Sequence, residues 1–184
     1  MKTEIEERYT LTIEQDTDPE PWDDWEHIVK IVHWHRQGFI GESIIGREKE
    51  WYEEHSRRGD IIARLYLYQH SGQSVSLGGD RYPFNDVWDS GQVGFMYVEK
   101  ETAKKECGRY WKVNAMECIQ GECKALDQYL TGDVWGYVIK DKDGETIDSC
   151  WGFYGHDYCE TEGKSMLAYL DKKDAQFLLP GVVK

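Results

Sequence analysis

The stretch Asp148–Cys159, DSCWGFYGHDYC, gathers Cys150, His156 and Cys159 in a chain whose other cysteines are Cys107, Cys118 and Cys123. Thiolate and imidazole are ligands for tetrahedral zinc, and a thiolate beside an imidazole is also a nucleophile with its base. Structural zinc sites use tight cysteine pairs on knuckle turns, whereas Cys118 and Cys123 fall in one predicted helix, at a separation that takes them off a common face. Buried free thiols pack as small hydrophobes, and that is the favoured reading of these cysteines. For nucleophilic catalysis the combinations are Cys150 or Cys159 with His33, His35, His70 or His156, and Ser71 or Ser90 beside His70 and Asp89. No Gly-x-Ser-x-Gly elbow, Walker A loop or Gly-x-Gly-x-x-Gly fingerprint accompanies them. The expectation is no cofactor, no metal and no assigned catalytic residue.

Asp141-Lys-Asp-Gly-Glu145 starts like a calcium loop, but Gly152 stands where the bidentate glutamate belongs and strands flank it, so it reads as an Asp-Gly hairpin turn. The densest carboxylate feature is the segment Gln15–Glu26. There Asp16, Asp18, Glu20, Asp23, Asp24 and Glu26 interleave with Trp22 and Trp25. One reading is a solvated loop whose tryptophans anchor it to the core; the other is an acidic, aromatic patch for a basic partner. Asp86 and Asp89 join this set as partner-binding candidates.

The elements that must position these groups follow from periodicity. Tyr9–Glu14 alternates as a strand, and prolines stop the ladder after it. Ile28–His35 is a second strand, with His33 and His35 on one side. Arg47–Arg58 is a short charged helix stopped by Gly59. Ile61–Tyr68, Ser74–Leu77 and Gln92–Val98 are strands, and the long Gly78–Gly91 segment between the last two is a loop with room for function. Glu101–Glu106 is a helical turn or two. Lys112–Leu130 is an amphipathic helix through Met116, Ile119, Cys123, Leu126 and Leu130. Asp133–Lys140 and Thr146–Phe153 form the hairpin. A last helix over Thr161–Phe177 carries Met166, Leu167, Leu170, Ala175 and Phe177, before Pro180-Gly181 frees the end. In the second hairpin strand Ile147, Ser149, Trp151 and Phe153 fall on one side and Asp148, Cys150 and Gly152 on the other; it reads as a buried strand, with His156 and Asp157 exposed after it. Strands without βαβ alternation predict a single α+β domain over residues 1–184, mainly an antiparallel sheet backed by two or three helices.

The 184 residues carry 35 acidic against 22 basic side chains, a formal charge of -13. Such a surface repels phosphates and opposes direct nucleic-acid binding, while it suits a basic partner, including a nucleic-acid-binding protein whose groove it occupies in place of phosphate. The charged N-terminus lacks an apolar signal core, no segment approaches a membrane span, and the odd cysteine count fits reduced thiols. These features predict a cytoplasmic protein without a membrane partner.

Three blocks, YLYQHSG (Tyr66–Gly72), WDSGQVGFMYV (Trp88–Val98) and DQYLTGDVWGYVIKDKDGETIDSCWGFYG (Asp127–Gly155), resemble a family of small acidic proteins of bacteriophages and integrative elements. The looser IEQDTDPEPWDDW and VHWHR segments extend the likeness over nearly the whole chain. It implies an anti-defence role in a bacterial host cell, similar to that of type II anti-CRISPR proteins: stoichiometric inhibition of a Cas9-type nuclease or its guide-bound complex. Cas9-type enzymes hold nucleic acid in positively charged channels, which an acidic body can block. The competing class is a cysteine- or metal-dependent enzyme of the mobile element.

Overall fold

The computed structural model describes residues 8–79, 82–86 and 88–177. The expected chain end at Pro180-Gly181 and part of the Gly78–Gly91 loop lie outside these residues, as do the side chains of Ala175 and Phe177. In chain order the elements are β1 (Tyr9–Gln15), β2 (Lys30–His33), β3 (Glu42–Ser43), α1 (Glu48–Arg58), β4 (Ile61–Gln69), β5 (Gln73–Gly78), β6 (Ser90–Val98), α2 (Lys100–Glu106), α3 (Trp111–Thr131), β7 (Val134–Asp141), β8 (Thr146–Tyr154) and α4 (His156–Phe177). This is an α+β fold whose strands sort into two mostly antiparallel sheets. The chain forms two compact units, one from the segments Met1–Pro19 and Gly132–Lys184, the other from Glu20–Thr131.

In the first unit the sheet order is β1-β7-β8, and β1 pairs with β7 from the far end of the sequence. The alternation of β1 places Leu11 opposite Ile139 and Ile13 opposite Tyr137, and α4 covers this face with Cys159, Met166, Leu167 and Leu170. Gly163 lets the helix come close: an added Cβ there would lie 2.9 Å from Leu11 Cδ1 and 3.2 Å from Tyr137 Cβ. The β7–β8 turn is closed by Asp141, whose Oδ1 accepts the N–H groups of Asp143 at 2.9 Å and Glu145 at 3.0 Å. That is an Asx-type hairpin turn, as the Asp-Gly chemistry predicts.

Three expectations for this region are corrected. Strand β8 lies at the sheet edge and is largely exposed, with Trp151 at 45%. Its face assignment also changes after Trp151. Trp135 pairs with Phe153 and Tyr137 with Cys150, so one extra residue is inserted opposite Gly136, and Gly152 absorbs it at φ 80°. The bulge puts Phe153 on the α4 face with Cys150 and Asp148, while Trp151 lies over Gly136 on the other. Helix α4 also begins earlier than its apolar pattern indicates. Gly155, at φ 96°, breaks the strand, donates its N–H to the Asp133 carbonyl and accepts from Cys159 N–H, opening the helix at His156.

The second unit has a sheet of order β3-β2-β6-β4-β5, in which the brief β3 is the one strand periodicity did not anticipate, joined to β2 in parallel. One face carries Val32, Ile44, Phe95 and Tyr97, covered by Trp34, Ile62 and Trp51 of α1. Trp51 stacks on Phe95 at 5.4 Å and on His55 at 4.0 Å. Ala63, Leu65 and Leu67 point to the opposite face, where α3 buries Ala115, Ile119, Cys123 and Leu126 as its periodicity predicts. Asp127 on α3 finishes the outer edge of β5 by accepting from Ser74 Oγ at 2.7 Å and Val75 N–H at 2.8 Å. This occupies a strand edge that would otherwise offer free backbone groups.

Within β6, Gly94 has no room for a side chain, because a Cβ would sit 2.1 Å from the Val32 carbonyl oxygen, whereas Gly91 has open space. Gly94→Ala must displace buried backbone and is expected to cost about 3 kcal/mol or more, with Gly91→Ala within roughly 0.5 kcal/mol of wild type. Urea unfolding of the two variants checks this; equal midpoints would mean that β2 and β6 do not approach as described.

Candidate functional site

The acidic segment that dominates the sequence is built unevenly. Asp16 and Asp18 belong to the first unit, where Asp16 Oδ1 accepts the Asp18 N–H at 3.1 Å. Glu20 to Glu26 belong to the second. Pro21 leads into a single 3-10 turn, Trp22–Asp24, from which Asp23 and Asp24 project into solvent, flanked by exposed Glu20 and Glu26. Trp22 is only 4% exposed. It is an anchor, which corrects its assignment as a partner contact; its neighbour Trp25 is half-buried and stacks on it at 5.4 Å.

What the indole packs against is a histidine that no sequence motif marked. The His27 ring stacks on Trp22 at 4.6 Å and on Trp25 at 6.0 Å, and Tyr129 of α3 closes on Trp22 at 6.3 Å. His27 Nε2 lies 3.0 Å from the Trp22 carbonyl oxygen, and Nδ1 lies 2.7 Å from Glu122 Oε2 on α3. A carbonyl oxygen can only accept, so Nε2 carries a proton. The short Nδ1 contact then needs a second proton between Nδ1 and Oε2: an imidazolium facing a carboxylate, or a neutral imidazole accepting from a carboxylic acid. Burial raises the Glu122 carboxyl above the ordinary range, while His27 and the Val29 backbone N–H pull it back. The acidic turn is stacked internally on His27 and held to α3 by the His27–Glu122 hydrogen bond and the tilted Trp22–Tyr129 contact.

Asp86 and Asp89 form a second acidic turn in the same unit. Asp86 Oδ1 accepts the backbone N–H groups of Trp88 at 2.8 Å and Asp89 at 3.4 Å. Asp89 Oδ2 faces His70 Nδ1 at 2.9 Å, so the histidine–aspartate combination considered for catalysis exists. The serine does not complete it: Ser90 Oγ donates to the Asp86 backbone carbonyl and contacts Tyr82 Oη at 2.8 Å.

Three of the thiols are held in their protonated form by burial. Cys159 is fully buried, and burial raises its pKa; burial also pushes Cys123 up to about 12 and raises Cys118, which contacts Cys107. Cys150 is exposed on β8, and His156 stacks edge-on against Trp135 at 4.8 Å. Among the described residues no group of three or more His, Cys, Asp and Glu side chains could hold a metal ion. A further buried pair, His55 Nδ1 with Asp60 Oδ2 at 2.8 Å, ties α1 to the start of α2, because Asp60 Oδ1 also accepts Lys100 N–H at 2.8 Å. Its setting is a packed aromatic one: His55 meets Tyr97 edge-on at 5.1 Å, and burial pushes the Tyr97 phenol up to about 12.

No family model, no curated protein and no solved structure matches the chain. Among the described residues no helix is long and apolar enough to cross a membrane.

The His27–Glu122 clamp has a pH signature. Folding raises the Glu122 pKa above its ordinary 4.5, so in the window above that value the folded chain binds more protons than the unfolded chain, and this contribution to stability falls as pH rises. Glu122→Gln preserves a hydrogen-bonding partner for Nδ1 without titrating. Its unfolding midpoint is expected to depend less steeply on pH above 4.5 than that of wild type; superimposable pH profiles would show that Glu122 is not held in this state.

Proposed function

We propose that this protein is an anti-defence protein of a phage or mobile element, acting without chemistry of its own. It binds a host nucleic-acid-targeting nuclease of the Cas9 type stoichiometrically and keeps nucleic acid from its basic channel. The observation that carries the reading is the clamped turn: Asp23 and Asp24 stand in solvent, beside Glu20 and Glu26, on a base fixed by buried Trp22 and the His27–Glu122 bond at 2.7 Å. A surface already ordered before contact loses little conformational entropy on binding, and carboxylates on it face cationic side chains as phosphates do. The net charge of -13 adds long-range attraction to a basic partner and repulsion of its nucleic acid. The likeness of the Tyr66–Gly72, Trp88–Val98 and Asp127–Gly155 blocks to phage and mobile-element proteins supports the choice of a host defence nuclease.

The test is cleavage of target DNA by a purified, guide-loaded Cas9-type nuclease with increasing amounts of the protein. Cleavage is expected to stop near equimolar addition. The variant Asp23→Asn/Asp24→Asn/Glu26→Gln should associate roughly tenfold more slowly at low salt, with a weaker dependence on ionic strength. Full cleavage in the presence of excess protein would refute the inhibitor reading, and unchanged association kinetics would remove this turn from the interface.

A further inference from the structure

We propose that Trp88 is the anchor of a second docking turn, and that its occupant is a basic protein offering an apolar pocket for the indole. The side chain is 93% exposed, far more than Tyr82 at 42% on the same loop, and Tyr82 and Phe84 each contact a ring of β4. Tyr82 meets Tyr66 of β4 edge-on at 5.2 Å, and Phe84 lies on Tyr68 at 5.8 Å, so these two residues rest on the sheet.

The backbone under the exposed ring is equally held. Asp86 Oδ1 accepts Trp88 N–H at 2.8 Å, the Asp89 carbonyl accepts Gln69 N–H at 2.8 Å, and the Asp89 carboxylate faces His70 at 2.9 Å. A tryptophan presented to water on a fixed turn gains nothing for the fold. Buried in a partner's pocket it supplies a large apolar area at little entropic cost, which is why tryptophan is enriched among interface residues that dominate affinity.

The surroundings select the occupant. Asp86 and Asp89 flank the indole within the turn, giving an apolar centre with an acidic rim. A second copy of this chain would set like charges against each other across the contact, in a molecule of charge -13. A partner with lysine or arginine around an apolar pocket meets both features. In taking that partner to be the same basic protein as above, the inference rests on the proposed function; the exposure and fixed geometry of Trp88 do not.

The experiment places the photo-crosslinking residue p-benzoylphenylalanine at position 88 of the full chain, in bacteria that express a Cas9-type nuclease, and identifies the adducts by mass spectrometry. A crosslink to the nuclease supports both readings. A crosslink to a different basic protein, weakened by Asp86→Asn/Asp89→Asn and by salt, supports the Trp88 turn and counts against the nuclease as target. With the purified crosslinked partner, Trp88→Ala should weaken binding about thirtyfold while leaving the unfolding temperature unchanged. Absence of any adduct, adducts only to a second copy, or wild-type affinity of Trp88→Ala overturns the proposal.

Discussion

The hydrogen bond between His27 Nδ1 and Glu122 Oε2, at 2.7 Å, is the constraint on which the candidate surface depends. With it, the Trp22 carbonyl is satisfied by Nε2 and the Trp22 ring gains its stacking partner, so a segment rich in proline and carboxylates acquires a fixed course over α3. Without it, His27 and Glu122, at side-chain exposures of 17% and 23%, would each lose a hydrogen bond in a partly buried setting. The exposed acids of this turn share their order with the histidine beneath them. They contribute charge; His27 and Trp22 decide where the charge stands.

Histidines serve similarly elsewhere in the second unit. His55 joins α1 to the Asp60 carboxylate that also starts α2, and His70 braces Asp89 beneath the Trp88 turn. His33, 4% exposed on β2, accepts the His35 N–H at Nδ1, and burial lowers its pKa, so it sits in the sheet as a neutral ring. His55 and His70 link carboxylate groups across elements and His33 braces the chain just after its own strand, which accounts for these histidines without a nucleophile beside them.

Local pattern was sufficient for much of this. The alternation of Tyr9–Glu14, the apolar density of Ile61–Tyr68, the helical steps of Ile119, Cys123 and Leu126, and the Asp143-Gly144 turn all encode their structures within a few residues, and all are found in place. What sequence could not provide depends on partners far away in the chain. The pairing of β1 with β7, the 95-residue separation of His27 from Glu122, and the division of strands between two sheets have no local signature. The bulge at Gly152 is intermediate: a glycine in a strand signals an irregularity, yet only the register shows that it exchanges the faces of Trp151 and Phe153. Trp22 and Trp88 show the same limit from the other side. Both are tryptophans among aspartates in sequence, and only packing separates the buried anchor from the exposed ring.

The acidic turn is ordered before any partner arrives. Backbone 15N order parameters of the free protein test it most directly. For the amides of Trp22 through His27 values of about 0.85 are expected, matching those of β4 and β6, whereas values below about 0.6 would describe a flexible acidic loop and rule out a preordered turn.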